Sequence, residues 1–119
     1  MKRVLIVDDE EIVLQSLQRI LEREHLDLVL AQEGVAALSA LTQPVSLLIC
    51  DVRLLDMDGL ELIHQAKTMQ PALKVIMLTG FSDLKVGEAA KRLNVDLLVQ
   101  KPINDIRGFV QNVLRLTND

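Results

Sequence analysis

The sequence lacks tryptophan and tyrosine, and it contains one cysteine and two phenylalanines among 119 residues. One cysteine cannot form an internal disulfide, which fits a reducing cytoplasm. No apolar run approaches the length of a transmembrane helix. The apolar stretch after Met1 is too short for a signal peptide, because the acidic residues 8–11 follow it at once. We therefore expect a cytoplasmic domain without membrane association.

The chain also lacks an excess of positive charge. It has 13 lysines and arginines against 17 acidic residues, which gives a formal net charge of -4. A nucleic-acid-binding domain normally presents a basic patch, so we do not expect this domain to bind nucleic acid. Half of the residues are hydrophobic and 25% are charged, as in ordinary globular domains. The length suits a single domain with one core over residues 1–119.

Five short apolar runs predict β-strands. In the central run, four consecutive apolar residues lead directly into Asp51, which is typical of a strand buried on both faces. Asp27 within the second run indicates a less buried, edge position. The predicted strands are Val4–Val7, Leu26–Ala31, Leu47–Asp51, Val75–Leu78 and Leu97–Val99.

The segments that follow the strands show the apolar spacing of amphipathic helices. In the second helix, Val35, Leu38 and Leu41 fall on the predicted buried side. Either Ser82 or Asp83 would cap the fourth helix. The predicted helices cover residues 10–24, 32–42, 60–69 and 82–93, and the last begins after Asn104 or Asp105.

Five strands alternating with five helices predict a parallel sheet covered by helices on both faces. Parallel strands place their carboxyl ends at one edge, where ligands bind in open α/β sheets. Residues that are far apart in sequence would therefore meet there, because each follows a strand directly. These residues are Asp8, Asp9, Asp51, Thr79 and Lys101.

Three carboxylates at one edge repel each other and need positive charge to compensate them. Mg²⁺ prefers hard oxygen ligands, Lys101 supplies a fixed cation, and Thr79 supplies a hydroxyl donor. These are the groups that a phosphoryl group needs around it. A carboxylate can itself act as the nucleophile, and Asp51 is the best placed. Taken singly, the acid pair also fits a helix start, Asp51 a loop cap and Lys101 a solvated lysine.

The order of these residues resembles that of the response-regulator receiver domains of two-component signalling, over the whole chain. Each matching element is weak alone, but together, in this order and at strand ends, they are specific. The resemblance implies an α/β fold of the flavodoxin-like (βα)5 type, a doubly wound five-stranded parallel sheet flanked by five helices. The matching elements are Asp8-Asp9, Asp51, Met57-Asp58-Gly59, Thr79-Gly80 and Lys101-Pro102.

The resemblance also implies roles at the strand ends. Asp51 would accept a phosphoryl group from the phosphohistidine of a sensor histidine kinase or phosphotransfer protein, with Mg²⁺ as the cofactor. Asp9, Asp51 and the backbone carbonyl of Arg53 would bind the ion directly, and Asp8 would help through water. Lys101 would pair with Asp51 or with its phosphate.

The same resemblance implies a switch rather than a conventional enzyme, although the domain would catalyse its own phosphorylation and dephosphorylation. Thr79 would move towards the phosphate, and Pro102 matches the family's proline, whose preceding peptide bond is commonly cis. The surface of the fourth helix, fifth strand and fifth helix would change. That change would control an output domain, a partner protein or a phosphorylation-dependent dimer.

Three positions depart from the family pattern. Leu98 stands where many members have an aromatic switch residue, and Leu55 replaces a common loop proline. Leu97 stands where one dimerising subgroup has an acid, so we do not expect that mode of dimerisation. Because Leu98 has no ring to swing, a second hypothesis is an interaction module that works without phosphorylation.

Two further classes are less favoured. An aspartyl-phosphate hydrolase would carry a second acid where this chain has Arg53. A flavin-binding protein would need a glycine-rich phosphate-binding loop, and none follows the first predicted strand.

Overall fold

The computed structural model describes residues 1–80 and 84–118, and within them strands and helices alternate as predicted. Phe81 and the alternative caps of the fourth helix, Ser82 and Asp83, lie outside the described residues. The elements are β1 Arg3–Val7, α1 Glu11–Leu21, β2 Asp27–Ala31, α2 Gly34–Ala40, β3 Leu47–Asp51, α3 Gly59–Met69, β4 Lys74–Thr79, α4 Leu84–Arg92, β5 Leu97–Gln100 and α5 Ile106–Thr117.

All neighbouring strands are parallel, and their order in the sheet is β2-β1-β3-β4-β5. The doubly wound α/β fold is therefore confirmed. β2 is an edge strand, as Asp27 indicated, and the Asp27 carboxylate pairs with the Arg3 guanidinium at 2.8 Å. The strand order reverses between β1 and β3, and ligand crevices form at such reversals. Asp8 follows β1 and Asp51 ends β3, so the fold places both acids beside this crevice.

The sheet separates two apolar clusters. Successive side chains of a strand point to opposite faces, so in β3 Leu47 and Ile49 join one cluster, and Leu48 and Cys50 join the other. The first cluster includes residues of α1 and α5, and the second includes residues of α2, α3 and α4. Among the described residues, no helix combines the length and the apolar composition needed to cross a membrane.

The prediction that Val35 lies on the buried side of α2 is wrong, because Val35 is 68% exposed. Leu41 is buried as predicted, and Gly34 and Ala37 are the buried residues within the helix. A Cβ atom on Gly34 would collide with the sulfur of Met57, so the glycine lets α2 approach the loop after β3. On the helix side this contact is made by Gly34, and a glycine carries no hydrophobic signal in a sequence pattern. The helix also occupies only part of the predicted range 32–42.

Candidate functional site

The carboxyl edge of the sheet brings three distant side chains into direct contact. The Lys101 ammonium donates hydrogen bonds to Asp8 Oδ2 and Asp51 Oδ2, and both N–O distances are 3.1 Å. Asp8 is fully buried, Asp51 is 7% exposed, and the Lys101 side chain is 17% exposed. The strands β1, β3 and β5 thus bring together residues that are 50 and 93 positions apart.

A backbone hydrogen bond holds Lys101 in this place. Its N–H donates to the carbonyl oxygen of Thr79 at 2.7 Å, which extends the contact between β4 and β5 by one residue. Thr79 ends β4 and is buried. The peptide bond between Lys101 and Pro102 is cis, as the resemblance led us to expect. The lysine and the threonine therefore sit on adjoining strand ends.

Burial and hydrogen bonding oppose each other at Asp8. Burial raises the pKa of the Asp8 carboxyl above its ordinary value, and the nearby Asp51 raises it further. Hydrogen bonds from the Glu10 N–H, at 2.9 Å, and from Lys101 lower it without reversing the shift. Removing this carboxylate from water therefore costs more than its two hydrogen bonds return.

The balance at Lys101 is the opposite. Burial lowers the pKa of its ammonium, but hydrogen bonds to Asp51 and Asp8 outweigh burial and hold the pKa above its ordinary value. Lys101 therefore remains protonated at neutral pH. One ammonium thus compensates two carboxylates at the centre of the cluster.

A cavity of about 380 Å³ opens beside this cluster. The carboxylate oxygens of Asp8, Asp9 and Glu10 lie within 4.8 Å of one another. Hard carboxylate oxygens in excess over one ammonium are a donor set that fits Mg²⁺. The polar residues of the cavity wall are Asp9, Glu10, Asp51, Arg53, Thr79 and Lys101.

Glu10 is a site residue that the sequence reasoning missed. Its carboxylate lies 3.9 Å from the Lys101 ammonium, and its N–H is bonded to Asp8. The sequence pattern assigned Glu10 to the start of the first helix, but the helix begins at Glu11. The signal that was available is its position directly after the acid pair.

The loop after β3 depends on Gly59. The Gly59 N–H donates to the Val52 carbonyl at 2.7 Å, and a Cβ atom on Gly59 would collide with the Asp51 carbonyl oxygen. Only glycine allows the start of α3 to lie this close to the end of β3. Asp58 caps α3 by accepting the Leu60 N–H at 2.8 Å. The loop therefore ends at Asp58, and α3 begins at Gly59, one residue before the predicted start.

Other predicted residues lie farther out. Leu98 is on the edge strand β5 and is 40% exposed. Pro102 is exposed beside the cavity that runs between α1 and the segment after β5. The side chain of Arg53 is exposed, while its N–H faces Asp51 Oδ1 at a long distance of 3.5 Å.

Comparisons with known proteins agree with this geometry. The family model described as the response regulator receiver domain matches residues 4–112. The uncharacterized transcriptional regulatory protein YesN of Bacillus subtilis is 34% identical over 110 residues, which cover 88% of this chain and 30% of YesN. The chain thus spans less than a third of the length of that relative.

Two solved structures extend the comparison. The CheY-like response regulator receiver domain protein of Methanospirillum hungatei superposes with a TM-score of 0.93 and 30% identity, covering 99% of this chain and 94% of that protein. Response regulator TrrA of Thermotoga maritima, solved in complex with Mg²⁺-BeF, superposes with a TM-score of 0.85 and 27% identity, covering 98% and 99%. The chain therefore belongs to the receiver domains of two-component response regulators, a family of phosphorylation-dependent signalling switches.

Proposed function

We propose that this receiver domain accepts a phosphoryl group on Asp51 from the phosphohistidine of a sensor histidine kinase or phosphotransfer protein. The observation that carries the proposal is the 3.1 Å hydrogen bond between Lys101 Nζ and Asp51 Oδ2 at the wall of the cavity. Asp8 also pairs with Lys101, but it is fully buried. Asp51 thus combines a hydrogen bond from Lys101 with access from the cavity, whereas Glu10, also on the cavity wall, lies 3.9 Å from the ammonium.

The transfer uses groups that the fold already holds in place. A carboxylate oxygen of Asp51 forms a bond to phosphorus as the bond between phosphorus and the imidazole nitrogen breaks. The electron pair of that bond remains on the imidazole. Lys101 offsets the negative charge of the phosphoryl oxygens without first having to move into the site. Thr79 supplies a hydroxyl near the new phosphate and acts as the switch residue.

Mg²⁺ is the cofactor that fits the residues of the site. Asp8, Asp9, Asp51 and the Arg53 backbone carbonyl would hold the ion, and Glu10 adds a further carboxylate nearby. When bound, the ion supplies positive charge to the carboxylates and to the incoming phosphoryl group. The carboxylates outnumber the single ammonium, which supports this assignment.

The response would pass to the surface formed by α4, β5 and α5. Thr79 ends β4 and Lys101 follows β5, so a change at either residue is transmitted directly to these elements. Phosphorylation would shift an equilibrium between two arrangements of this surface. The recipient would be an output domain, a partner protein or a second copy of the domain, in the cytoplasm. YesN is named as a transcriptional regulator and is much longer than this chain, which favours an output domain.

The test is the intact mass of the protein after incubation with acetyl phosphate, with and without Mg²⁺. We expect wild type to gain one phosphoryl group only with Mg²⁺, and Asp51→Asn to gain none. Asp105→Asn is a matched control, because Asp105 caps α5 and Asn caps a helix equally well. Equal phosphorylation of wild type and Asp51→Asn would show that the assignment of Asp51 is wrong.

The second candidate is an interaction module that does not depend on phosphorylation. It is favoured by Leu98, whose exposed position on β5 carries a side chain without a ring or hydroxyl. If the wild-type protein gains no mass with acetyl phosphate, either with or without Mg²⁺, this candidate would be favoured.

A further inference from the structure

The loop between β3 and α3, residues 52–58, carries a backbone group beside the proposed phosphoacceptor. Arg53 and Asp58 form an antiparallel bridge at the base of this loop. The Arg53 N–H faces Asp51 Oδ1 at 3.5 Å. The conformation of the loop therefore determines where the Arg53 backbone lies relative to the Asp51 carboxylate.

Asp56 ties the tip of this loop to another element. Its Oδ1 accepts the Gly34 N–H at 2.8 Å and its Oδ2 accepts the Val35 N–H at 3.0 Å. Both donors belong to the first turn of α2, where backbone N–H groups have no acceptor within the helix and a nearby negative charge is stabilising. These two hydrogen bonds also lower the pKa of the Asp56 carboxyl, so it is ionised at neutral pH. A single side chain thus joins the loop to a helix more than 20 residues away in sequence.

The cap of α2 comes from outside the helix. The residue at its own N-cap position, Glu33, makes no side-chain cap hydrogen bond. Helices usually take this cap from the residue that precedes them. Meanwhile Leu55, next to Asp56, is 83% exposed and lacks the fixed backbone angle that a proline would give. The Asp56 contact therefore supplies both a cap to α2 and an anchor to the loop tip.

We propose that Asp56 is a positioning residue for the phosphorylation site, holding the β3–α3 loop against α2 and thereby fixing the Arg53 backbone beside Asp51. The inference rests on the proposed function, because the Arg53 carbonyl matters to the chemistry only where Mg²⁺ binds. Groups that hold metal ligands in place commonly affect metal affinity by 10-fold or more. Asp56 acts through one further step along the chain, so its effect is smaller.

The experiment compares Asp56→Ala with a matched variant, Asp96→Ala. Asp96 also accepts a backbone N–H from a distant residue, Val75, at 2.7 Å, but at the opposite edge of the sheet. The Mg²⁺ concentration that half-saturates each protein, its Mg²⁺ midpoint, is obtained by fitting the rise in Tm, followed by far-UV circular dichroism, against Mg²⁺ concentration. The Mg²⁺ dependence of the phosphorylation rate with acetyl phosphate is measured on the same samples.

We expect Asp56→Ala to raise the half-saturating Mg²⁺ concentration about threefold to tenfold. Its phosphorylation rate at saturating Mg²⁺ should stay within about twofold of wild type, because the chemistry at Asp51 is unchanged. The Mg²⁺ midpoint of Asp56→Asn should fall between those of wild type and Asp56→Ala, since its amide oxygen still accepts one N–H. This variant also keeps the inference testable where the alanine variant folds poorly. Asp96→Ala should lose stability but keep the wild-type Mg²⁺ midpoint.

A readout without metal separates positioning from general destabilisation. Amide hydrogen exchange at Arg53 should be faster in Asp56→Ala and unchanged in Asp96→Ala. Equal Mg²⁺ midpoints and equal Arg53 exchange in the two variants would overturn the inference. If wild type binds Mg²⁺ but takes up no phosphate, the proposed function is wrong. A shifted Mg²⁺ midpoint in Asp56→Ala would then still support the positioning role of Asp56. The absence of any Mg²⁺-dependent rise in wild-type Tm would overturn both.

Discussion

Asp8→Asn should make the metal-free protein more stable. Asp8 is fully buried, and burial raises the pKa of its carboxyl despite hydrogen bonds from Lys101 and the Glu10 N–H. Asparagine has nearly the same shape and its amide oxygen still accepts the Glu10 N–H. The substitution therefore removes a charge that the fold holds at a cost.

The size of the effect follows from two opposing contributions. At an effective dielectric constant of 20, an ammonium at the observed distance attracts the Asp8 carboxylate by about 5 kcal/mol. The Asp51 carboxylate, bonded to the same ammonium and so within about 6 Å, repels it by about 3 kcal/mol. Desolvation of a buried ion costs several kcal/mol, which exceeds the remaining attraction. We therefore expect Asp8→Asn to raise the free energy of unfolding by about 1–2 kcal/mol, or Tm by roughly 3–10 °C.

The assay is urea unfolding followed by far-UV circular dichroism in the presence of a chelator. The folded state has the raised Asp8 pKa, so it binds more protons than the unfolded state between the two pKa values. The wild type therefore loses stability as pH rises through the folded pKa, and the advantage of Asp8→Asn should disappear in acid. Asp105→Asn, which changes an exposed helix cap, is the control and should leave the free energy of unfolding at neutral pH within about 0.5 kcal/mol of wild type. A metal-free Asp8→Asn protein that is less stable than wild type at neutral pH would refute the reasoning.

Three further substitutions probe the same edge of the sheet. Asp9→Ala should abolish the Mg²⁺-dependent rise in Tm expected for wild type, because it removes a proposed direct ligand; an unchanged rise would exclude Asp9 as a ligand. Lys101→Met should lower the free energy of unfolding at neutral pH by about 1–4 kcal/mol, since it leaves two neighbouring carboxylates without their cation. The Lys101 pKa is raised in the folded state, so its contribution to the free energy of unfolding of wild type should be complete below the unfolded-state pKa. That contribution should be lost as the pH rises through the folded-state pKa in the alkaline range. A stability difference between wild type and Lys101→Met that does not change with pH would contradict this. Gly59→Ala should destabilise the protein by about 2–4 kcal/mol in a urea melt, because its Cβ meets the Asp51 carbonyl, whereas Gly87→Ala, with open space around it, should not.

The convergence of the acids, the lysine and the threonine was predictable because it depends on local signals. Each strand could be identified from a short apolar run, and parallel strands share one carboxyl edge. The position of Asp51 after four apolar residues required no knowledge of the tertiary structure. Asp58 and Asp105 were likewise readable as turn or cap residues, and both accept a first-turn N–H.

The contacts made by Asp56 and Gly34 were not predictable in this way. They depend on how the loop after β3 lies against α2, and residues separated by 22 positions share no local pattern. The same contact explains the error at Val35, because α2 turns Gly34 rather than Val35 towards the loop. Periodicity detects large apolar side chains, whereas here the Met57 and Asp56 side chains, packed against α2, leave room for a glycine at position 34.

The buried Asp8 connects the stability of this fold with its function. A sequence selected for stability alone would place a neutral side chain at that position, since most positions around it follow the usual pattern of apolar burial. The Asp8 carboxylate pairs with Lys101 and lies beside Asp51. Its burial therefore lowers the stability of the metal-free, unphosphorylated state. Any cation that binds only the folded state relieves that cost and gains affinity from it. Under the proposed function, relief of the repulsion among the acids would add to the binding energy of Mg²⁺, while Lys101 offsets part of that repulsion in the metal-free state.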